Sequence, residues 1–248
     1  MRKLVVLLAG LACLVGAGPA RAEIGTADAV PAATLLLPYF EVDLADPNGV
    51  NTVFSVNNAS ASAAVANVTV WTDWGVPSLG FQIYLTGYDV QTISMRDLFD
   101  GQLPVTADAG ADPTGTVSPK GPLSQDINFP GGVGPCGSSS TLYDKPDPSA
   151  AAKFANFRAV HVGNASPVNG LCWGASHGDA IARGYVTVDS VNVCSLLNPT
   201  DAGYFPTNSG IADARNILWG DWSLVDSPNN IAYGETLVHV ESCLPGGG

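Results

Sequence analysis

Positive charge is scarce in this chain: 10 Lys and Arg residues stand against 22 Asp and Glu residues, for a formal net charge of −12 at pH 7. Nucleic acids and anionic lipid surfaces carry phosphate charge, so a chain this acidic is not expected to bind either of them. The sequence therefore predicts no nucleic-acid partner, and its acidity is typical of a protein that resists aggregation.

Patterns that would indicate a membrane helix or a zinc site are also missing. After residue 22, no run approaches the roughly 20 apolar residues that a membrane helix needs. No CxxC or CxxH spacing occurs, and His161, His177 and His239 are not paired in the sequence. We therefore predict no membrane span, no metal and no cofactor.

Calcium is the more credible cation, because oxygen ligands are plentiful around one turn. Asp43, Asp46, Asn48 and Asn51 cluster there, but their spacing does not match the D-x-[DN]-x-[DN]-G loop. Asp and Asn are also ordinary turn residues, since their side chains hydrogen-bond to nearby backbone groups. The turn is the simpler interpretation.

The first 22 residues have the three parts of a signal peptide. Residues 1–3 are positively charged, residues 4–18 are an apolar run too short to cross a bilayer, and residues 20–22 are small enough for a cleavage site. We predict cleavage near Ala22 and a mature chain that begins at Glu23, in the periplasm, at the cell surface or outside the cell. Seven basic residues then face 22 acidic ones, a net charge of −15. The short leader and the scarcity of Lys look bacterial.

Four cysteines remain after the leader: Cys136, Cys172, Cys194 and Cys243. An even number in a secreted chain favours two disulfides. The sequence does not choose among the three possible pairings. We favour Cys136–Cys172 and Cys194–Cys243, because the first bond would close a loop that is poor in apolar residues and would contribute about 3–4 kcal/mol. Cys13 leaves with the leader, and the residues before it do not fit the lipid-attachment pattern.

Short segments with strand character, separated by turns, dominate the chain. Alternation of apolar and polar residues is clearest at 81–85, and a turn at 46–49 contains Pro and Asn-Gly. A short helix is predicted from Asp147 to Phe157. The predicted strands are 34–42, 53–56, 64–74, 81–85, 90–95, 158–162, 184–193, 216–224 and 235–240.

This strand pattern predicts one antiparallel β-sandwich. Residues 23–248 are expected to form a single domain in which 101–180 is a loop-rich insertion, because 101–148 shows no periodicity. The strand spacing resembles that of the immunoglobulin-like modules common in bacterial secreted proteins. The resemblance implies an immunoglobulin-like architecture and no activity. With the favoured Cys136–Cys172 bond, the expected fold is an all-β, immunoglobulin-like β-sandwich with a long loop-rich, disulfide-stapled insertion.

Residues 174–178 read Gly-Ala-Ser-His-Gly and formally match the G-x-S-x-G nucleophile elbow. Ser176, Asp226 and His239 even follow the chain order of the α/β-hydrolase triad. However, no buried strand leads into Gly174, and the strand–helix alternation of that fold is missing. We interpret the segment as a Gly-rich loop and predict no catalytic residue, with a serine hydrolase built on Ser176 as the second alternative.

Two histidines lie within apparent strands. His161 and His239 each stand between two valines, so strand alternation predicts that both side chains point to solvent. Neither is expected to bind a metal.

Two Trp-x-Asp-Trp motifs raise the possibility of carbohydrate binding. Aromatic rings stack on sugars and carboxylates accept hydrogen bonds from sugar hydroxyls, although strand residues three apart point to opposite faces. We predict a secreted, non-enzymatic structural or adhesive protein of the cell surface or extracellular space, with a surface glycan or protein as partner. The first alternative is a carbohydrate-binding module. Its candidate residues are Trp71, Asp73, Trp74, Trp219, Asp221 and Trp222.

Overall fold

A computed structural model of the 248-residue chain describes residues 30–102, 104, 148–193, 195, 197–205 and 210–242. The predicted signal peptide and the cysteines at 136, 194 and 243 lie outside the described residues. The described residues form ten strands and two helices. These are β1 Thr34–Asp43, β2 Asn51–Asn58, β3 Ala64–Thr72, β4 Pro77–Leu85, β5 Val90–Ser94, α1 Met95–Phe99, α2 Pro148–His161, β6 Ile181–Val191, β7 Leu218–Trp219, β8 Asp221–Asp226, β9 Ile231–Thr236 and β10 Val238–Val240.

The strands form two antiparallel sheets around one hydrophobic core. The first sheet has the order β10-β1-β6-β3-β4, and the second has the order β5-β2-β8-β9 with β7 also paired to β2. Alternation places Phe54 and Val56 of β2 in the core with Val68 and Val70 of β3. The prediction of an all-β, antiparallel architecture is confirmed.

One chain segment passes from the second sheet to the first. β9 ends at Thr236, Leu237 is fully buried, and β10 then pairs with β1. The backbone N–H of Leu237 donates to the carbonyl oxygen of Gly220 at 3.0 Å. A Cβ on Gly220 would collide with the backbone carbonyl oxygen of Ser55 and lie 2.6 Å from the Leu237 side chain, so this position needs glycine. This segment closes one side of the sandwich.

The helix α2 extends to His161, four residues beyond the end at Phe157 that the sequence predicts. The strand predicted at 158–162 is therefore wrong. Phe157 and His161 are one helical turn apart and both pack against Phe99, with ring centroids 4.1 and 5.3 Å away. A short apolar run does not by itself distinguish a strand from a buried helical turn.

The helix α1 is absent from the sequence prediction, although its sequence contains a start signal. Ser94 is the N-cap residue, and its side chain accepts a hydrogen bond from the backbone N–H of Asp97. Ser94 and Asp97 have the spacing of a capping box, which ends the predicted strand 90–95 one residue earlier.

The structure contradicts the expectation that His161 and His239 point to solvent. His161 is 3% exposed and lies among aromatic rings. His239 lies opposite the buried Leu35, and its Nδ1 is 2.7 Å from the Val30 carbonyl oxygen. The flanking valines of β10 are the exposed residues instead, because β10 is an edge strand whose inner side carries the histidine.

Within the described part of the chain, neither helix is long and apolar enough to cross a bilayer.

Candidate functional site

The outer face of the first sheet carries a row of polar residues that are covered. Gln82, Asn67, Asp189 and Thr34 lie opposite one another across four neighbouring strands. Strand alternation predicts that Asn67 and Gln82 face away from the valines of the core, but not that anything lies over them. Tyr204, in the connection between β6 and β7, is fully buried against this face.

Asp189 is the centre of this buried row. Its carboxylate accepts hydrogen bonds from the Thr34 hydroxyl at 2.6 Å and from the Tyr204 hydroxyl at 2.7 Å. The side-chain amide of Asn67 donates to the Tyr204 oxygen at 3.0 Å. Burial raises the pKa of Asp189 and also that of Tyr204. The polar groups of this face therefore satisfy one another.

Replacing Tyr204 by phenylalanine tests this interpretation of the covered face. Loss of the hydroxyl leaves the buried Asp189 carboxylate with Thr34 alone, so we expect the free energy of unfolding to fall by about 2 kcal/mol. Urea unfolding measures the change. Tyr233→Phe is the control, because that side chain is 51% exposed and a surface substitution should change stability by less than about 0.5 kcal/mol. Equal stability of the two variants would contradict the prediction.

The outer face of the second sheet is open in the part of the chain that the structure describes. Thr92 of β5, Asp221 of β8 and Gly234 of β9 are all exposed there. Along β2, Ser55 and Asn57 point to this side, because the residues that alternate with them are buried. Among the described residues, Tyr204 covers the centre of the first sheet's outer face, which has a groove of about 240 Å³ beside Thr34 and Asp189, whereas no described segment covers the outer face of the second sheet.

β7 and β8 are one strand in register, interrupted only at Gly220. Trp219 lies opposite Asn57, and Ser223 lies opposite Val53, so no residue is inserted between the two strands. Because side chains alternate along a strand, Trp219, Asp221 and Ser223 all point to the open face. Trp222 points the other way and packs against the core.

A groove of about 400 Å³ lies on this open face. The Ser55 hydroxyl donates to a carboxylate oxygen of Asp221 at 2.6 Å, and the Asn57 amide donates to the Trp219 carbonyl oxygen at 3.1 Å. Hydroxyls and a carboxylate therefore face the groove, and none of its lining residues is basic. The lining residues are Val53, Phe54, Ser55, Thr92, Asp221, Trp222, Ser223, Gly234 and Glu235.

The first Trp-x-Asp-Trp motif lies in the other sheet and is divided by the end of β3. Trp71 is 7% exposed, stacks on Tyr185 and donates its indole N–H to Thr187 at 2.9 Å. Asp73 accepts from the backbone N–H of Ala175 at 3.1 Å, and Trp74 is 59% exposed. The structure therefore does not join the two motifs into one platform.

The residues of the hydrolase hypothesis are not brought together. Ser176 is exposed in the irregular segment before β6. The next residue, His177, places its Nε2 3.3 Å from the Asp73 carboxylate. The end of β3, next to Asp73, lies opposite Gly184 of β6. His239 of β10 lies opposite Leu35 of β1, which in turn lies opposite Val188 of β6. Four residues of β6, about 13 Å, separate these levels of the sheet.

Side chains considered as metal ligands have other partners. Asp43 caps the turn by accepting from the backbone N–H of Ala45 at 2.8 Å, and Asn51 accepts from the backbone N–H of Arg96. Across the described ranges, no three His, Cys, Asp or Glu side chains come together as a set that could hold a metal ion.

Cys172 is exposed and forms no disulfide with another described residue. Its favoured partner, Cys136, and the other two cysteines lie outside the described residues, so the pairing stays a prediction.

Comparison of the chain with protein-family models, curated proteins and solved structures gave no match.

Proposed function

We propose that the mature chain is a secreted, non-enzymatic structural or adhesive protein that acts at the cell surface or in the extracellular space. The observation that supports this function most is the difference between the two outer faces. The first sheet is covered by residues of its own chain, around Tyr204, while the second presents an open groove beside Asp221. A β-sandwich in which the outer face of the second sheet is open suits attachment to another molecule.

The leader and the charge agree with this proposal. A positively charged start, a short apolar run and a small-residue cleavage site direct a chain out of the cytoplasm. In that oxidising environment, Cys136, Cys172, Cys194 and Cys243 are proposed to form two disulfides. The net charge of −12 argues against nucleic acid and anionic membranes as the surface to which the protein attaches.

The immunoglobulin-like description stays a prediction. β1 and β2 lie in different sheets here, whereas the first two strands of an immunoglobulin constant domain are neighbours in one sheet. The serine hydrolase stays a weaker alternative, because Ser176 has no histidine from β10 beside it and no helix follows it directly in the described chain.

Binding of the purified mature chain to isolated bacterial cell envelopes tests the proposed function. We expect the protein to sediment with the envelopes, and Ser223→Arg, which places a bulky charge on the open face, to reduce the bound fraction several-fold. Val168→Arg is the matched control, because Val168 is 69% exposed in a loop beyond the first sheet.

Two results would contradict the proposal. One is a wild-type chain that stays in the supernatant. The other is hydrolysis of a generic ester that Ser176→Ala abolishes, since that result would assign the chain to the enzymes.

A further inference from the structure

We infer that the open outer face of the second sheet binds a neutral polysaccharide, with Trp219 and Asp221 as its main contacts. This inference rests on the proposed adhesive function and names the class of ligand that the face would attach to. Of the six candidate residues in the two Trp-x-Asp-Trp motifs, the inference keeps these two. The four that it leaves out are Trp71, Asp73, Trp74 and Trp222.

The first step is the geometry of one strand. Trp219, Asp221 and Ser223 point to the same side, because β7 and β8 share one register on β2. Residues two apart in a strand are about 6.6 Å from each other, so the row extends about 13 Å. A row of this length can contact more than one linked sugar ring, as a polysaccharide offers and a single small solute does not.

The second step is the aromatic ring. Trp219 is half-buried, and its ring meets the ring of His239 edge-to-face, with centroids 6.3 Å apart and planes at 76°. That contact restricts the orientation of the indole before any ligand arrives. A pre-oriented aromatic face loses little conformational entropy when an apolar sugar face stacks on it.

The third step is the polar surface beside the ring. The Ser55 hydroxyl occupies one oxygen of the Asp221 carboxylate at 2.6 Å, which holds the carboxylate in place. A carboxylate has further acceptor sites, so sugar hydroxyls can donate to it, and the hydroxyls of Ser223 and Thr92 can donate or accept. Gly234 has no side chain, which keeps the groove open beside Ser223.

The fourth step is charge. Asp221 and Glu235 line the groove and none of the lining residues is basic, so uronic acids, sulfated glycans and phosphate-bearing polymers would be repelled. The ligand that complements this face is therefore rich in hydroxyl groups and carries no negative charge.

Affinity electrophoresis of the mature chain in gels that contain soluble xylan, mannan, β-glucan or glycol chitin tests the inference. We expect retardation by at least one of these neutral polymers and none by alginate or heparin. Trp219→Ala and Asp221→Asn should each weaken binding about tenfold, as loss of a stacking contact or a charged hydrogen bond would. Trp74→Ala is the matched control, since Trp74 is 59% exposed but lies beside the first sheet, and it should bind as the wild type does.

A folding defect in Trp219→Ala would not leave the question open, because Ser223→Arg changes an outward side chain of the same face and blocks the groove beside Asp221. Retardation that persists in Ser223→Arg, or that is lost in Trp74→Ala, would overturn the inference, as would binding to alginate or heparin. If the wild type binds envelopes but none of the neutral polymers, the polysaccharide inference fails while the adhesive function stands. If it binds neither, both fail.

Discussion

Replacing Gly184 by alanine is expected to lower the free energy of unfolding by about 3 kcal/mol or more, because the central strand of the first sheet has no room for a methyl group there. Gly184 lies on β6 opposite Phe40 of β1 and Thr72 of β3. A Cβ at this position would collide with the carbonyl oxygen of Trp71 and lie 3.0 Å from the Phe40 ring. The backbone oxygen cannot move without breaking the ladder between β3 and β6.

Gly80→Ala is the matched control for Gly184→Ala. Gly80 lies on the edge strand β4, where a Cβ would meet the side-chain oxygen of Asn198 at 2.9 Å. Because that oxygen is the end of a side chain, it can turn away from the methyl group, and we expect Gly80→Ala to lose less than about 1 kcal/mol. Urea unfolding of both variants measures the difference. A loss for Gly184→Ala as small as that of the control would show that the sheet accommodates the methyl group.

Alternation along the chain is enough to predict the strands that have one buried and one polar side. The segments 34–42 and 53–56 fall within β1 and β2, and 81–85 falls within β4, because each strand alternates apolar side chains that face the core with side chains of the outer face. The segment 158–162 fails for a physical reason. Val160 and His161 are both buried on a helix, where His161 packs against Phe99, and a valine–histidine–valine run looks the same in either structure.

The candidate site depends on information that the sequence does not contain locally. The Trp-x-Asp-Trp motifs at 71–74 and 219–222 look alike, yet Trp71 is buried against Tyr185, while Trp219 lies on the outer face of the second sheet, two residues before the groove residue Asp221. Which outer face becomes covered depends on where the connection that contains Tyr204 folds back, and that contact joins residues far apart in the chain. Sequence patterns identify the residue types, whereas only the sheet register sorts them by face.

The buried His161 is expected to make the fold sensitive to acid between pH 7 and about pH 4. Burial lowers the pKa of His161 to about 4, although the Arg183 carbonyl and the Asp73 charge oppose the shift. Its Nδ1 lies 2.8 Å from that carbonyl oxygen, which can only accept, so Nδ1 carries the proton and Nε2 faces Ser78 at 2.7 Å. In the neutral ring, Nε2 can accept the single Ser78 hydroxyl proton, for which the Val70 carbonyl oxygen at 2.9 Å competes.

The sign of the effect follows from proton binding. As the pH falls below about 6.5, the histidine of the unfolded chain takes up a proton that the folded chain refuses until about pH 4, so acid favours unfolding across this window. The difference corresponds to about 3 kcal/mol, fully expressed below about pH 4. The raised pKa of Asp189 acts in the opposite direction, because its folded carboxyl binds a proton more readily than the unfolded one.

Urea unfolding at pH 7 and at pH 4.5 measures the acid sensitivity, and His161→Gln isolates the contribution of the ring. Glutamine does not titrate, so this variant should be less stable at pH 7 but should lose much less than the wild type on acidification. His177→Gln is the control, because that histidine is exposed and its removal should leave the loss unchanged. A wild-type chain that is equally stable at the two pH values would contradict the prediction, and so would a His161→Gln variant with the same loss as the wild type. The second result would show that protonation of carboxylates, rather than of His161, causes the loss of stability in acid.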